Sequence, residues 1–322
     1  MKRTYIMAGV LIAFAAALMG GLWFYADRTL KAVSFPGSSM EEYDRHYMLV
    51  SADRSQQWQT IYSSAREEAA RQKVYLEWVG ADLPEGYSAS ECMEIAAAAK
   101  PDGIILHPDR DAQMTGLIDK AYDEGIPVIT VLNDDSASRR VSFIGVNSYQ
   151  VGEIYGKRVL DVLDGASGNV LVLRSGSYED NGGSLTYSQL LKTVETGTGP
   201  DQKVSIDHIE MNAANSFEAE EGIRDIFLAR DRIPDVIVCL DLTSTECASQ
   251  ALVDFNEVGE VTVIGYYASE KVLNAIEKGV VDSTLKVDAE EIGRLCVSTL
   301  DEYCSLGNVS NYFTIGIEMI SR

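Results

Sequence analysis

Residues that build metal sites and disulfides are sparse in this chain. Its 322 residues include five cysteines, Cys92, Cys239, Cys247, Cys296 and Cys304, an odd number with no CxxC spacing. That pattern argues against a disulfide framework and against a thiolate metal site. Cys239 lies in the apolar run VIVCL, where a buried free thiol is the expected state. The three histidines, His46, His107 and His208, are not at ligand spacing to one another, so neither a metal nor any other cofactor is expected. Positive charge is also short. Lys and Arg total 27 against 49 Asp and Glu, a formal net charge of −22 at pH 7. A surface of that sign repels phosphate backbones and argues against a nucleic-acid partner. Enzyme signatures are missing too: there is no GxSxG, no GxxxxGK[ST] and no HExxH. The loop GSYEDNGG at 176–183 lacks GxGxxG spacing and carries acid where a phosphate would sit, so it reads as a flexible loop. The chain is expected not to be an enzyme.

What is present begins with an uncharged run at residues 4–26, preceded by Lys2 and Arg3. At about 1.5 Å per residue it spans a hydrocarbon core of about 30 Å. Trp23, Phe24 and Tyr25 cluster at its far end, as in an interfacial belt. A cleaved signal peptide is the rival reading. A cut after Ala26 puts Phe24 at the −3 position, and a cut after Ala32 puts Leu30 there, where small residues are wanted. No cysteine precedes Cys92, which argues against a lipid anchor. The expectation is a cytoplasmic stub at 1–3, a single-pass signal anchor at 4–26 and a polar tether at 27–45. The soluble part then lies on the extracytoplasmic side of the cell membrane.

Beyond the tether, strand and helix patterns alternate to the end. Strands are expected at 47–51, 74–79, 103–106, 127–132, 141–146, 170–173, 204–209, 236–240, 261–264 and 283–287, with a last apolar stretch at 312–320. Helices are expected between them; Trp58, Ile61, Tyr62, Ala65 and Ala69, for example, form one amphipathic stripe. Such alternation predicts an α/β fold of parallel sheets with helices on both faces. One sheet of this length would be unusual, so two doubly wound lobes are expected, with the break near residues 149–152.

In doubly wound sheets, ligands bind outside the carboxyl ends of the strands. Those ends supply Asp53, Ser55, Gln57 and Trp58 after the first strand, and His107 and Asp109 after the third. Asn133, Asp134 and Asp135 follow the fourth, and Asn147 the fifth. The second half supplies Arg174, Asp241, Tyr266 with Tyr267, and Lys286. Carboxylates and amides beside aromatic rings suit a sugar or a similar polyol. Other roles stay open. Trp58 is also a member of its helix's core stripe, and Asp109 and Asp241 stand where N-caps stand. Arg139 and Arg140 read as a solvated loop.

Taken in order, YMLVS with Trp58, KPDGIILHP, EGIPVITVLNDD, VSFIGVNSYQVGEIYG (141–156), IPDVIVCL and VTVIGY resemble the type I periplasmic sugar-binding proteins, the ribose- and galactose-binding class. The resemblance covers 47–320. It implies lobe 1 from 46–149 plus 288–311 and lobe 2 from 150–287 plus 312–322, with crossings near Gln150, Asp288 and Asn311. It places ligand contacts at Ser55, Gln57, Trp58, Asn133, Asp134 and Asn147. Lobe 2 departs from the pattern: the family's ligand arginine would fall near Ser184, its aspartate is replaced by Tyr267, and its glutamine lines up with Val287. LacI-type repressors share this core but begin with a helix-turn-helix, whose place is taken here by the apolar run. The resemblance thus implies a membrane-tethered binding protein for a small polar ligand, partnered by an ABC permease or a membrane histidine kinase. A ligand-free protein-interaction module of the same fold is the first alternative, and an enzyme the more remote one.

Overall fold

The computed structural model describes residues 43–81, 83, 86–109, 111–175, 181–211, 216–229 and 233–322. The expected membrane span at 4–26, nearly all of the tether and the start of the loop at 176–183 lie outside the described residues. No helix among the described residues is long and apolar enough to cross a membrane.

Two six-stranded sheets follow one another along the chain. The first is built from β1 (Arg45–Val50), β2 (Val74–Val79), β3 (Gly103–Leu106), β4 (Val128–Val131), β5 (Ser142–Gly145) and β11 (Tyr312–Thr314), in the order β11-β5-β4-β3-β1-β2. The second is built from β6 (Gly168–Ser175), β7 (Val204–Met211), β8 (Val236–Cys239), β9 (Thr262–Tyr266), β10 (Ser283–Val287) and β12 (Ile317–Ser321), in the order β12-β10-β9-β8-β6-β7. The two orders match strand for strand. The central strands β3, β4, β5 and β8 are buried at every position, as strands covered by helices on both faces must be. One strand departs from the expected parallel pattern: β12 pairs antiparallel with β10 at the sheet edge.

The connecting helices are α1 (Gln56–Arg71), α2 (Ala89–Ala98), α3 (Met114–Asp123), α4 (Ser148–Leu163), α5 (Asn181–Gly197), α6 (Ser216–Leu228), α7 (Leu242–Asp254), α8 (Glu270–Glu277) and α9 (Ala289–Leu306). Trp58, Ile61, Ala65 and Ala69 of α1 are buried against the first sheet, which is the stripe legible in the sequence. Helix α9 lies alongside α1, and Gly293 makes the approach possible. A Cβ there would come within 2.3 Å of the Ile61 carbonyl oxygen. In the second lobe, α4 packs on α5 across Gly152, where a Cβ would meet the Thr186 carbonyl oxygen at 2.3 Å. That is the physical need behind the glycine after NSYQV. Tyr155, fully buried on α4, donates its hydroxyl toward the carbonyls of Gly265 at 3.0 Å and Cys239 at 3.2 Å, pinning the helix beneath β8 and β9.

The chain passes between the sheets three times: after β5 at 146–147, after β10 at Asp288, and between β11 and β12 at 315–316. The third crossing corrects the expectation at Asn311. Tyr312, Phe313 and Thr314 pair with Phe143, Ile144 and Gly145 of the first sheet before the chain leaves it. A three-residue strand inside an apolar stretch carries no alternation of its own, so sequence alone merged it with β12. Tyr312 Oη donates to the Val146 carbonyl at 3.3 Å, tying the third crossing to the first.

Candidate functional site

The carboxyl ends of the two sheets face one another, and their side chains meet directly. In the first lobe, Asp53 closes an Asx turn by accepting from Ser55 N at 2.7 Å. Arg54 secures the same loop by donating to the Gly80 carbonyl through Nε at 3.0 Å and Nη2 at 2.6 Å, and to the Leu83 carbonyl. Ser55 stands at the N-cap of α1, yet its hydroxyl makes no capping bond. The buried Ser55 Oγ has no hydrogen-bond partner among the described residues. Gln57 and Trp58 follow on the first turn, both buried. The Trp58 ring packs on His107 at the end of β3, centroids 4.7 Å apart. Trp58, 1% exposed, is thus a core residue that supports His107 at the strand end.

Asn133 is 5% exposed and reaches the same surface from β4. Its Nδ2 donates to the Pro108 carbonyl at 3.3 Å, beside His107, while its buried Oδ1 has no partner among the described residues. A left-handed backbone at Leu132, φ 63°, turns it there. Ser55, His107 and Asn133 thus come from the adjacent strands β1, β3 and β4. A buried acceptor left without a donor costs about 1–3 kcal/mol, so two such atoms at the same end of one sheet mark a place for a polar ligand.

The second lobe brings Asp241, Tyr266 and Tyr267 to the facing edge. Asp241 caps α7, accepting from Ser244 N and Ser244 Oγ, each at 2.7 Å. Burial pushes its carboxyl above the usual range, against the pull of those bonds and with the charge of Asp53 adding to the rise. Tyr266 accepts from Gln57 Nε2 at 3.4 Å across the lobes, and burial raises its phenol to about 12. Tyr266 stands in the strand-end inventory of the sequence but not among the expected contacts. At a sheet end one residue of register decides which side chain faces the cleft, and only the structure supplies it.

Other expected contacts are placed elsewhere. Both carboxylate oxygens of Asp134 are engaged inside its own lobe: Arg140 binds them through Nε and, at 2.7 Å, Nη2, and Thr130 Oγ1 donates at 2.8 Å. Arg140 also donates to the Asn311 carbonyl at 3.0 Å, so it is no solvated loop residue, whereas exposed Arg139 pairs with Asp123. Asn147 is the exposed N-cap of α4, accepting from Gln150 N at 3.1 Å. Arg174, buried at the end of β6, lies over the Tyr187 ring, 5.2 Å from its centroid. Tyr267 is 7% exposed and donates its hydroxyl to Thr60 Oγ1 of α1 at 3.3 Å. Asp109 holds the start of α2, accepting from Ser90 Oγ at 3.0 Å. The structure thus gathers Asp53, Ser55, Gln57, Trp58, Asn133 and Asp241, with Tyr266 and His107, and sets Asp134, Asn147, Arg174 and Tyr267 to other tasks.

Two hollows lie away from this edge. One of about 840 Å³ is lined by Gly168, Asn169, Val194, Lys203 and Asp235 at the amino ends of β6 and β7, the wrong end of the sheet for a ligand of this fold. The other, about 400 Å³, runs between Gln59, Ser63, Glu290 and Arg294 on the outer faces of α1 and α9.

A family model described as a periplasmic binding protein domain matches residues 47–308. No curated protein matches the chain. Several solved structures share the fold. The XylFII molecule superposes with a TM-score of 0.74 at 23% identity, covering 86% of this chain and 98% of its own. GanP, a glucose-galactose binding protein from Geobacillus stearothermophilus, gives 0.75 at 22% identity over 86% of this chain and 97% of its own. XylFII in its complex with LytSN gives 0.74 at 23% identity, with coverage of 86% and 97%.

Proposed function

The chain belongs to the periplasmic binding protein domain family, and from that premise we propose that it binds a small polar solute, a sugar or a sugar-like polyol, between its two lobes. The observation that carries the reading is the pair of buried acceptors, Ser55 Oγ and Asn133 Oδ1, without partners among the described residues, at the ends of β1 and β4 on either side of β3. Asp53, Gln57, Asp241 and Tyr266 at the same edge add further acceptors and donors for hydroxyl groups, and the partly exposed His107 ring, backed by buried Trp58, offers a face for C–H groups. Ligand hydroxyls bridging the lobes stabilise the closed form by their differential affinity for it. No step of bond making is required, and the sugar leaves chemically unchanged.

The N-terminal run then serves as a membrane tether, with the two lobes on the extracytoplasmic side. The closed form is read by a membrane partner, either an ABC permease that takes the sugar or a histidine kinase that senses it. A tethered protein need not shuttle, which favours the sensor. GanP is described as a glucose-galactose binding protein, which supports a sugar as the solute, and XylFII is described in a complex with LytSN, which supports a protein partner.

The test is thermal unfolding of the full chain in detergent against monosaccharides, polyols and furanose-type compounds. A ligand at about 100 times its dissociation constant adds about 2.7 kcal/mol of stability, an easily read rise. The rise is expected for one compound class and is expected to fall to about half or less in Asn133→Ala at the same ligand concentration. A well-folded chain that no compound shifts refutes the reading and favours a protein-interaction module. Co-purification from membranes with a permease or with a kinase separates the two partners.

A further inference from the structure

Tyr267 stands where the resembling proteins place a ligand aspartate, and its surroundings assign it a different task. Its backbone is fixed from both sides by β10: its N–H donates to the Leu285 carbonyl at 2.8 Å, and its own carbonyl accepts from Thr284 Oγ1 at 3.1 Å. The residue between these anchors is left-handed, φ 64°. The side chain reaches lobe 1, where its hydroxyl lies 3.3 Å from Thr60 Oγ1 on α1. The proton inventory of that contact closes. Thr60 gives its single hydroxyl proton to the Gln56 carbonyl at 3.0 Å, which leaves its oxygen to accept from the phenol. The ring belongs to a buried apolar cluster containing Ile61 and Ile292 of the first lobe and Val272 and Ile276 of the second. Beside this contact, Gln57 and Tyr266 make a second interlobe bond at 3.4 Å.

We infer that Tyr267 and Thr60 form an interlobe clasp, made of protein groups alone, that populates the closed form before any ligand arrives and so sets how much closing energy the ligand must supply. A ligand shifts a two-state equilibrium only by its differential affinity, so a closed state already held by the chain needs less of it. The clasp deepens the sugar-binding reading but rests on it only for the ligand arm of the test below.

The test is a distance distribution between the lobes of the full chain in detergent, from spin labels on unnatural amino acids at the exposed positions Glu94 and Lys192, which leaves the native thiols untouched. Without added sugar, Tyr267→Phe and Thr60→Val are each expected to lower the closed-to-open ratio two- to tenfold, the worth of one neutral hydrogen bond. The double variant is expected to fall no further than either single one, because both remove the same bond. Distributions unchanged in both single variants, or losses that simply add, overturn the clasp. In the sugar arm, a wild-type distribution that no sugar alters counts against the binding reading, while the sugar-free distributions of the variants still decide the clasp.

Discussion

Leu132 and Tyr267 occupy equivalent places in the two lobes, each the first residue past the third strand from the β11 or β12 edge, and both are left-handed, φ 63° and 64°. For a residue with a Cβ this backbone costs about 1–2 kcal/mol. In each lobe a polar group follows the turn: the Asn133 amide, bonded to the Pro108 carbonyl within the first lobe, and the Tyr267 hydroxyl, which reaches Thr60 across the lobes. At Leu132 the cost is separable from packing by comparing two truncations. Leu132→Gly is expected to be more stable than Leu132→Ala by about 1 kcal/mol in urea unfolding, the reverse of the order at ordinary sites, where Gly trails Ala by about 0.5–1 kcal/mol. An Ala variant as stable as the Gly variant would show no strain there.

Gly293 tests the contact of α1 with α9. A Cβ 2.3 Å from the Ile61 carbonyl oxygen and 2.8 Å from Ala65 N meets rigid backbone that cannot step aside. Gly293→Ala is therefore expected to destabilise by about 2 kcal/mol, although alanine favours helix by nearly 1 kcal/mol at an exposed position. A midpoint in urea at or above the wild-type value contradicts this packing.

Neighbouring residues Asn133 and Asp134 are expected to separate binding from stability. Asp134 is held by Arg140 and Thr130 within its lobe, so Asp134→Asn is expected to lower stability by about 1–2 kcal/mol and to change sugar affinity less than twofold. Asn133 keeps a buried oxygen without a partner among the described residues, and Asn133→Ala is expected to weaken binding tenfold or more. Calorimetric titration of both variants reads the difference, and equal losses of affinity would return Asp134 to the site.

Asp241 makes stability depend on pH in a stated direction. Its folded-state pKa is raised by burial, so between the ordinary carboxylate value and the raised one the native state holds more protons than the unfolded state. Its contribution is fully present below the ordinary value and is lost as pH rises through the raised one. Asp241→Asn keeps an N-cap acceptor and removes the charge. The variant is expected to melt above wild type at pH 7, with the gap closing as the pH approaches 4. A gap that does not vary with pH would mean the carboxylate is not the cause.

Much of the fold was legible because its signals are local. The buried stripe of Trp58, Ile61, Ala65 and Ala69, the all-apolar runs GIIL and VIVC, and the cap at Asp241 all act within a few residues of themselves. The short strand β11 was not, because its partner, β5, lies far back in the chain. The site was half legible. Ser55, Gln57 and Asn133 follow from strand ends, but nothing near Asp134 in sequence says that Arg140 folds back onto it rather than into solvent.

The amino-acid sequence by itself determined the α/β alternation, the division into two lobes, the excess of acid and the polar character of the strand ends, since each follows from periodicity or composition. Tertiary structure alone decided which strand-end side chains converge. Sheet register chose Tyr266 over its neighbour for Gln57, a left-handed residue turned Tyr267 onto Thr60, and an ion pair withdrew Asp134. Such outcomes depend on distances between residues up to 209 positions apart, which no local pattern encodes.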